Sequence, residues 1–177
     1  IKEVMLFFQG HQIATGLAIK IYKQYWDDSI KAVQENPYRL ARDIWGIGFL
    51  TADKIARDLG LADDSPQRME AGVVYALNEA TNEGHVFLPR AELVTTAAEL
   101  LRLEGAADGI EAAIDRLHAS GEVEIDPVPS GDFGVEGEAV YLPAMYYSEV
   151  GAAKRLRAML DAPDSRLSDL RHVQWAP

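Results

Sequence analysis

The chain contains no cysteine. That excludes disulfide frameworks, thiolate nucleophiles and cysteine-ligated zinc. No apolar run reaches the roughly eighteen residues that a membrane-spanning helix needs. No Gly-Lys dipeptide occurs, so a Walker A phosphate loop cannot form. No signal peptide is visible, because Ile1-Lys2-Glu3 leads straight into a patterned segment. With no initiator methionine, a piece of a longer cytoplasmic protein is the expectation. Positive charge is scarce too: 17 Lys and Arg face 28 Asp and Glu, a net charge of −11. The four histidines (His11, His85, His118 and His172) are scattered, none in ligand spacing with another, so no metal site is expected. Ser65 has no His–Asp companions, Asp27-Asp28 and Asp63-Asp64 look like cap and loop acids, and no catalytic residue is expected.

What is present is ordinary for a globular chain of 177 residues, 48% apolar and 25% charged, enough for one large domain or two small ones. The charge is unevenly placed. Residues 1–60 carry eight basic groups (2, 20, 23, 31, 39, 42, 54, 57) against seven acidic ones, while the remainder holds the excess acid. Any contact with a polyanion should therefore use the first third, and should be weak and salt-dependent.

The stretch Ile44–Ala56 carries the sharpest signal. It reads as a helix end, a Gly46-Ile47-Gly48 turn and a second helix whose Ala52, Ile55 and Ala56 recur at helical spacing. Two glycines one residue apart allow a tight bend and close approach of another molecule, and Ile47 between them can anchor the bend in the core. A helix that starts on such a bend presents unpaired N–H groups, which suit a phosphate. This is the helix-hairpin-helix pattern, which grips a nucleic-acid backbone without reading bases. The candidate phosphate contacts are Gly46, Ile47, Gly48, Leu50 and Thr51, with Lys54 and Arg57 adding charge. The bland alternative is that the hairpin only joins two helices. Trp26, Trp45 and Tyr38 are candidates for stacking on bases, but such aromatics more often fill small helical cores, and Trp45 is expected to do so.

An earlier segment echoes this one. Leu6–Ile13, with Ala18 and Ile21 downstream, resembles a worn copy in which Gln12 stands where a second glycine would sit. A Cβ makes positive φ costly there, so this weaker first hairpin (Gly10, Gln12, Thr15) should bind phosphate less well. Thr15 is expected to cap the helix that follows. Residues 1–62 thus read as a tandem helix-hairpin-helix domain, ended by the linker Ala62-Asp63-Asp64-Ser65-Pro66.

Residues 66–145 read as winged-helix-like: a helix from Ser65 or Pro66, a strand at 85–89, helices over 91–103 and 109–120, a strand at 122–125, a glycine turn at 130–134 and a strand at 139–142. A further helix, 146–160, has Val150, Ala153, Leu156 and Leu160 on one face. Residues 146–177 make a carboxy-terminal helix and linker whose polar tail should fray. The expected fold is mainly α, a helix-hairpin-helix bundle followed by an α+β winged-helix-like part. Helix 109–120 carries Glu111 and Asp115 with Arg116 alone opposing them, so groove entry is disfavoured and docking to a protein is the stronger reading.

Glu35-Asn36-Pro37-Tyr38-Arg39-Leu40, Gly46-Ile47-Gly48-Phe49, Thr51–Ala56, Arg68–Gly72, Gly84–Pro89 and Val140-Tyr141-Leu142-Pro143 resemble, in order, the amino-terminal region of RecD-like and TraA-like DNA helicases, the kind also described as exodeoxyribonuclease V alpha-like. The resemblance covers roughly residues 3–160. It implies a parent ATP-dependent helicase of repair or recombination, moving 5′ to 3′ on single-stranded DNA with ATP and magnesium in motor modules that this chain does not contain. The chain itself would need no cofactor and would be no enzyme. Relatives often place a basic residue where Leu50 stands, and that charge is absent here. Two roles follow as expectations: non-sequence-specific contact with DNA, single-stranded or at a junction, or docking onto the helicase core or a repair or replication protein without touching DNA. No membrane partner is expected.

Overall fold

Apolar residues at helical spacing dominate the sequence, and helices dominate the fold. The computed structural model describes residues 1–128 and 137–162; the expected turn at 130–134, His172 and the tail from 163 onward lie outside the described residues. Helix α1 (Lys2–Gly10) buries Val4 and Phe8, and α2 (Thr15–Tyr25) packs on it through Ala18 and Ile21. A 3-10 turn (Trp26–Asp28) leads into α3 (Ser29–Glu35). The helix stops at Asn36, whose side-chain oxygen accepts the Tyr38 N–H at 3.0 Å, while Pro37 is fully buried. Helices α4 (Arg39–Asp43) and α5 (Phe49–Asp58) follow, α5 burying Phe49, Ala52, Ile55 and Ala56.

Pro66, which has no N–H to leave unpaired, opens α6 (Pro66–Asn82). After it come β1 (Phe87–Pro89), α7 (Arg90–Leu101), α8 (Ala107–Ser120), β2 (Glu124–Pro127), β3 (Glu138–Tyr141) and α9 (Pro143–Leu160). The strands form one antiparallel sheet in the order β1-β3-β2, with Leu88 and Ile125 both opposite Val140. Element order and strand order are those of a winged helix, so the architecture is mainly α with a small β part, as the sequence pattern predicts.

Helix α6 is the hub, packing against α5, α7, α8 and β1. Its contact with α7 is close because Gly72 has no side chain: a Cβ there would lie 2.7 Å from the Leu101 side chain. The apolar core runs without a break from Val4 to Val140. Arg68, on α6, is 2% exposed and ties the two parts together. Its guanidinium donates to Asp53 on α5 (2.7 and 3.2 Å), to the Asp63 carbonyl (2.8 Å) and to the Leu101 carbonyl on α7 (3.2 Å).

Some boundaries differ from expectation. Strand β2 starts at Glu124 and not at 122, because the Glu122 N–H is spent on the Leu117 carbonyl at 2.8 Å, closing α8. Helix α9 begins at Pro143, three residues early, with the Leu142 carbonyl accepting from Met145 and Tyr146. None of its residues is buried; Val150 is half-covered, while Leu156 and Leu160 farther along the same face stay exposed. Only its first turns touch the sheet, through Tyr146 against Tyr141 and the Tyr147 hydroxyl on Glu124.

Candidate nucleic-acid interface

The turn between α4 and α5 is held from below. Tyr25, on α2, donates its hydroxyl to Asp43 at the end of α4 (2.7 Å). Burial, then that hydrogen bond, pushes the Tyr25 phenol up to about 12. Ile44 then leaves the helix extended. Gly46 takes φ +84°, a region that costs an ordinary residue about 1–2 kcal/mol. Ile47 dips into the core, 3% exposed, its N–H on the Ile44 carbonyl at 3.1 Å.

Gly48 is unlike Gly46. Its φ of −90° and ψ of 174° suit any residue, and a Cβ on it would meet nothing within 4 Å. Nothing inside the protein requires glycine at this position. Gly46, Gly48 and Leu50 are exposed, and α5 has no side-chain cap. Among the described residues the N–H groups of Gly46, Gly48, Phe49 and Leu50 have no partner, so the positive end of α5 faces outward unpaired. Thr51 is a correction: its N–H already donates to the Gly48 carbonyl at 3.1 Å, a 3-10-type bond that tightens the first turn of α5.

The charges around the bend are also redistributed. Lys54 is exposed and makes no ion pair among the described residues. Arg57 is committed elsewhere, 3.4 Å from both Asp53 and Asp63, because α5 ends against the linker that carries Asp63. Lys20, on α2, takes its place near the bend: a Cβ on Gly46 would lie 3.4 Å from its Nζ. Spacing along the chain cannot reveal Lys20, since only the packing of the two repeats brings it to the second hairpin. Trp45 is the other correction. It is 96% exposed, not core, because Ile44 and Ile47 on either side take the two inward positions. Leu50 is exposed as well, at 69%.

Residues 1–87 match the family described as the HHH domain of the ATP-dependent RecD2 DNA helicase. Over 166 residues, 92% of its length, the chain is 30% identical to the ATP-dependent RecD2 DNA helicase of Deinococcus radiodurans. This is a RecD-like amino-terminal region. It spans 23% of the length of that relative.

The first hairpin of the RecD-like region repeats the second in a different register from the one expected. Gly10 is the last residue of α1 and outside the bend. Ile13 is the buried equivalent of Ile47, which sets Gln12 opposite Gly46 and Ala14 opposite Gly48. Gln12 adopts φ +58° in spite of its Cβ, a strain that the surrounding packing imposes. Thr15 is the first residue of α2 and does not cap it; Ala14 holds that position without a side-chain bond. His11 fastens this hairpin to the far end of α5, its ring nitrogen 3.1 Å from the Asp58 carbonyl.

In the winged-helix part of the RecD-like region, charged side chains are taken up internally. Arg90 meets Glu111 (2.5 Å) and Asp115 (2.6 Å) on α8 and Glu138 on β3 (2.9 Å). Burial opposes its charge, but these three carboxylates raise its pKa further. Arg116 pairs with Glu70 at 2.5 Å. Helix α8 is therefore bound into its own domain by the side chains that a groove-reading helix would turn outward. Among the described residues no three metal-binding side chains gather, and no helix is long and apolar enough to cross a membrane.

Proposed function

We infer that this chain is the accessory amino-terminal part of an ATP-dependent DNA helicase of repair or recombination, and that its second helix-hairpin-helix holds DNA by one or two backbone phosphates. The phosphates would meet the N–H groups of Gly48, Phe49 and Leu50, with Lys54 and Lys20 as counter-charges. Gly48 is the observation that carries this reading: its conformation and its surroundings accept a side chain, so glycine is useful there only to something approaching from outside. The expected division into 1–62, 66–145 and 146–177 gives each part a task. The hairpins touch the backbone, and the acidic winged-helix part and α9 dock on the motor. ATP and Mg2+ belong to that motor, in a cytoplasmic setting.

Two phosphate contacts predict a slope of log affinity on log salt of about −1.4 for a single strand, or about a seven-fold loss for a four-fold rise in salt. Fluorescence anisotropy with labelled single strands measures it. Gly48→Ala combined with Lys54→Glu should abolish most of the binding without lowering thermal stability. Unchanged affinity in that variant would remove the hairpin from the mechanism. The exposed Leu156 and Leu160 of α9 favour docking as a second role; a chain that fails to associate with the parent's motor core in a pull-down argues against it.

A further inference from the structure

Resting on that reading, we propose that the tip of the second hairpin takes an unpaired nucleotide, with the Trp45 indole stacked on its base, so that the site prefers single-stranded DNA to duplex. Trp45 is 96% exposed, and its ring packs against no aromatic partner among the described residues. A tryptophan placed only for stability would occupy an inward position, and here Ile44 and Ile47 hold both. Trp45 adjoins Gly46, where the Lys20 amine stands, and lies three residues from the free N–H of Gly48. An aromatic face, the Lys20 amine and a row of amides with no partner among the described residues meet on one bend, and Lys54 follows on α5, without an ion pair among those residues. Those are the two halves of a nucleotide's recognition: a π-face for the base, and donors and positive charge for the phosphate. Inside a duplex each base face is covered by its neighbours, so away from duplex ends only an unpaired base can use the ring. Leu50, exposed on the first turn of α5, adds an apolar edge to the same tip.

The experiment uses the 177-residue chain with three labelled probes: a short oligothymidine, an abasic strand of the same length, and a duplex. Trp45→Ala should weaken binding to oligothymidine about five-fold or more and leave the abasic strand and the duplex within about two-fold, the loss expected for one base–aromatic stack. Trp45→Phe should restore most of the affinity. An unchanged melting temperature is expected, since the side chain is almost wholly exposed. Equal losses on thymidine and abasic strands, or no loss on thymidine, overturn the stacking proposal. If Gly48→Ala with Lys54→Glu still weakens all three probes in that case, the phosphate grip survives alone. A wild-type chain that binds none of the probes overturns both.

Discussion

Replacing Arg68 by methionine tests how the two parts are joined. The guanidinium is 2% exposed and makes four hydrogen bonds, two of them a fork onto Asp53, which also accepts the Tyr38 hydroxyl at 2.8 Å. Methionine fills much of the volume but leaves Asp53 facing only Tyr38 and Arg57, and strips the Asp63 and Leu101 carbonyls of a donor. Breaking one side of a buried pair costs about 3–5 kcal/mol. Asp53 is not fully sealed and Arg57 remains 3.4 Å away, so the lower end, about 3 kcal/mol, is expected. Urea unfolding reads this as a lower midpoint at constant slope. In Arg68→Met with Asp53→Leu, both charges are gone, and a recovery of about 1–2 kcal/mol over the single variant is expected. The pH profile gives an independent check. Burial works against the Asp53 charge, but the hydrogen bonds from Arg68 and Tyr38 and the fields of Arg68 and Arg57 outweigh it and hold the carboxyl below its ordinary range. A depressed carboxyl stabilises the fold above its unfolded pKa of about 4, and that stability disappears as pH falls through the folded value. Arg68→Met should flatten this acid limb. A single-variant loss under about 1 kcal/mol, or a double variant that is simply additive, would refute the reasoning.

Gly46→Ala should cost about 1–2 kcal/mol in chemical denaturation through its positive φ alone, since the space around it admits a methyl. Gln12→Gly, at φ +58°, should move the other way by up to about 1 kcal/mol, and an opposite sign would show that the strain is not local. Gly72→Ala should lower stability by about 1–3 kcal/mol, because its methyl must displace Leu101, and it should leave nucleic-acid affinity per folded molecule unchanged.

The sequence makes the framework readable because the framework is periodic. Ala52, Ile55 and Ala56 mark the buried face of α5 at helical spacing, and Ile47 between two glycines marks the bend. Helix and strand order in the second part follow from the same alternation of patterns. What escapes is everything decided by packing between segments distant in the chain. Lys20 reaches Gly46 only because α2 lies against the second repeat, Arg57 is lost to Asp63 on the linker, and Thr51 loses its amide to helix geometry. Aromatic size alone points Trp45 inward; Ile44 and Ile47 already fill the local inward positions, so the ring lies outside. The register of the first hairpin fails for a related reason. Glycine marks the bend only in the second repeat, whereas the buried isoleucine, Ile13 or Ile47, is the feature the two repeats share.

The placement of the basic residues bears on the net charge of −11, which stands against any contact with DNA. Arg57, Arg68, Arg90 and Arg116 all face carboxylates of the same chain. Arg68 forks onto Asp53 with two bonds and Arg90 reaches three separate carboxylates, uses that suit a planar guanidinium. Lys20 beside Gly46 and the exposed Lys54 on α5, compact and hydrated charges, make no ion pair among the described residues. An acidic chain can therefore hold a phosphate in one small place while its remaining surface repels the polyanion. On the proposed reading the contact would be local, weak and quickly reversed, which would suit an accessory element of a motor that moves along a strand. Adding lysines elsewhere on α5 would tighten binding and, on this view, slow the parent enzyme.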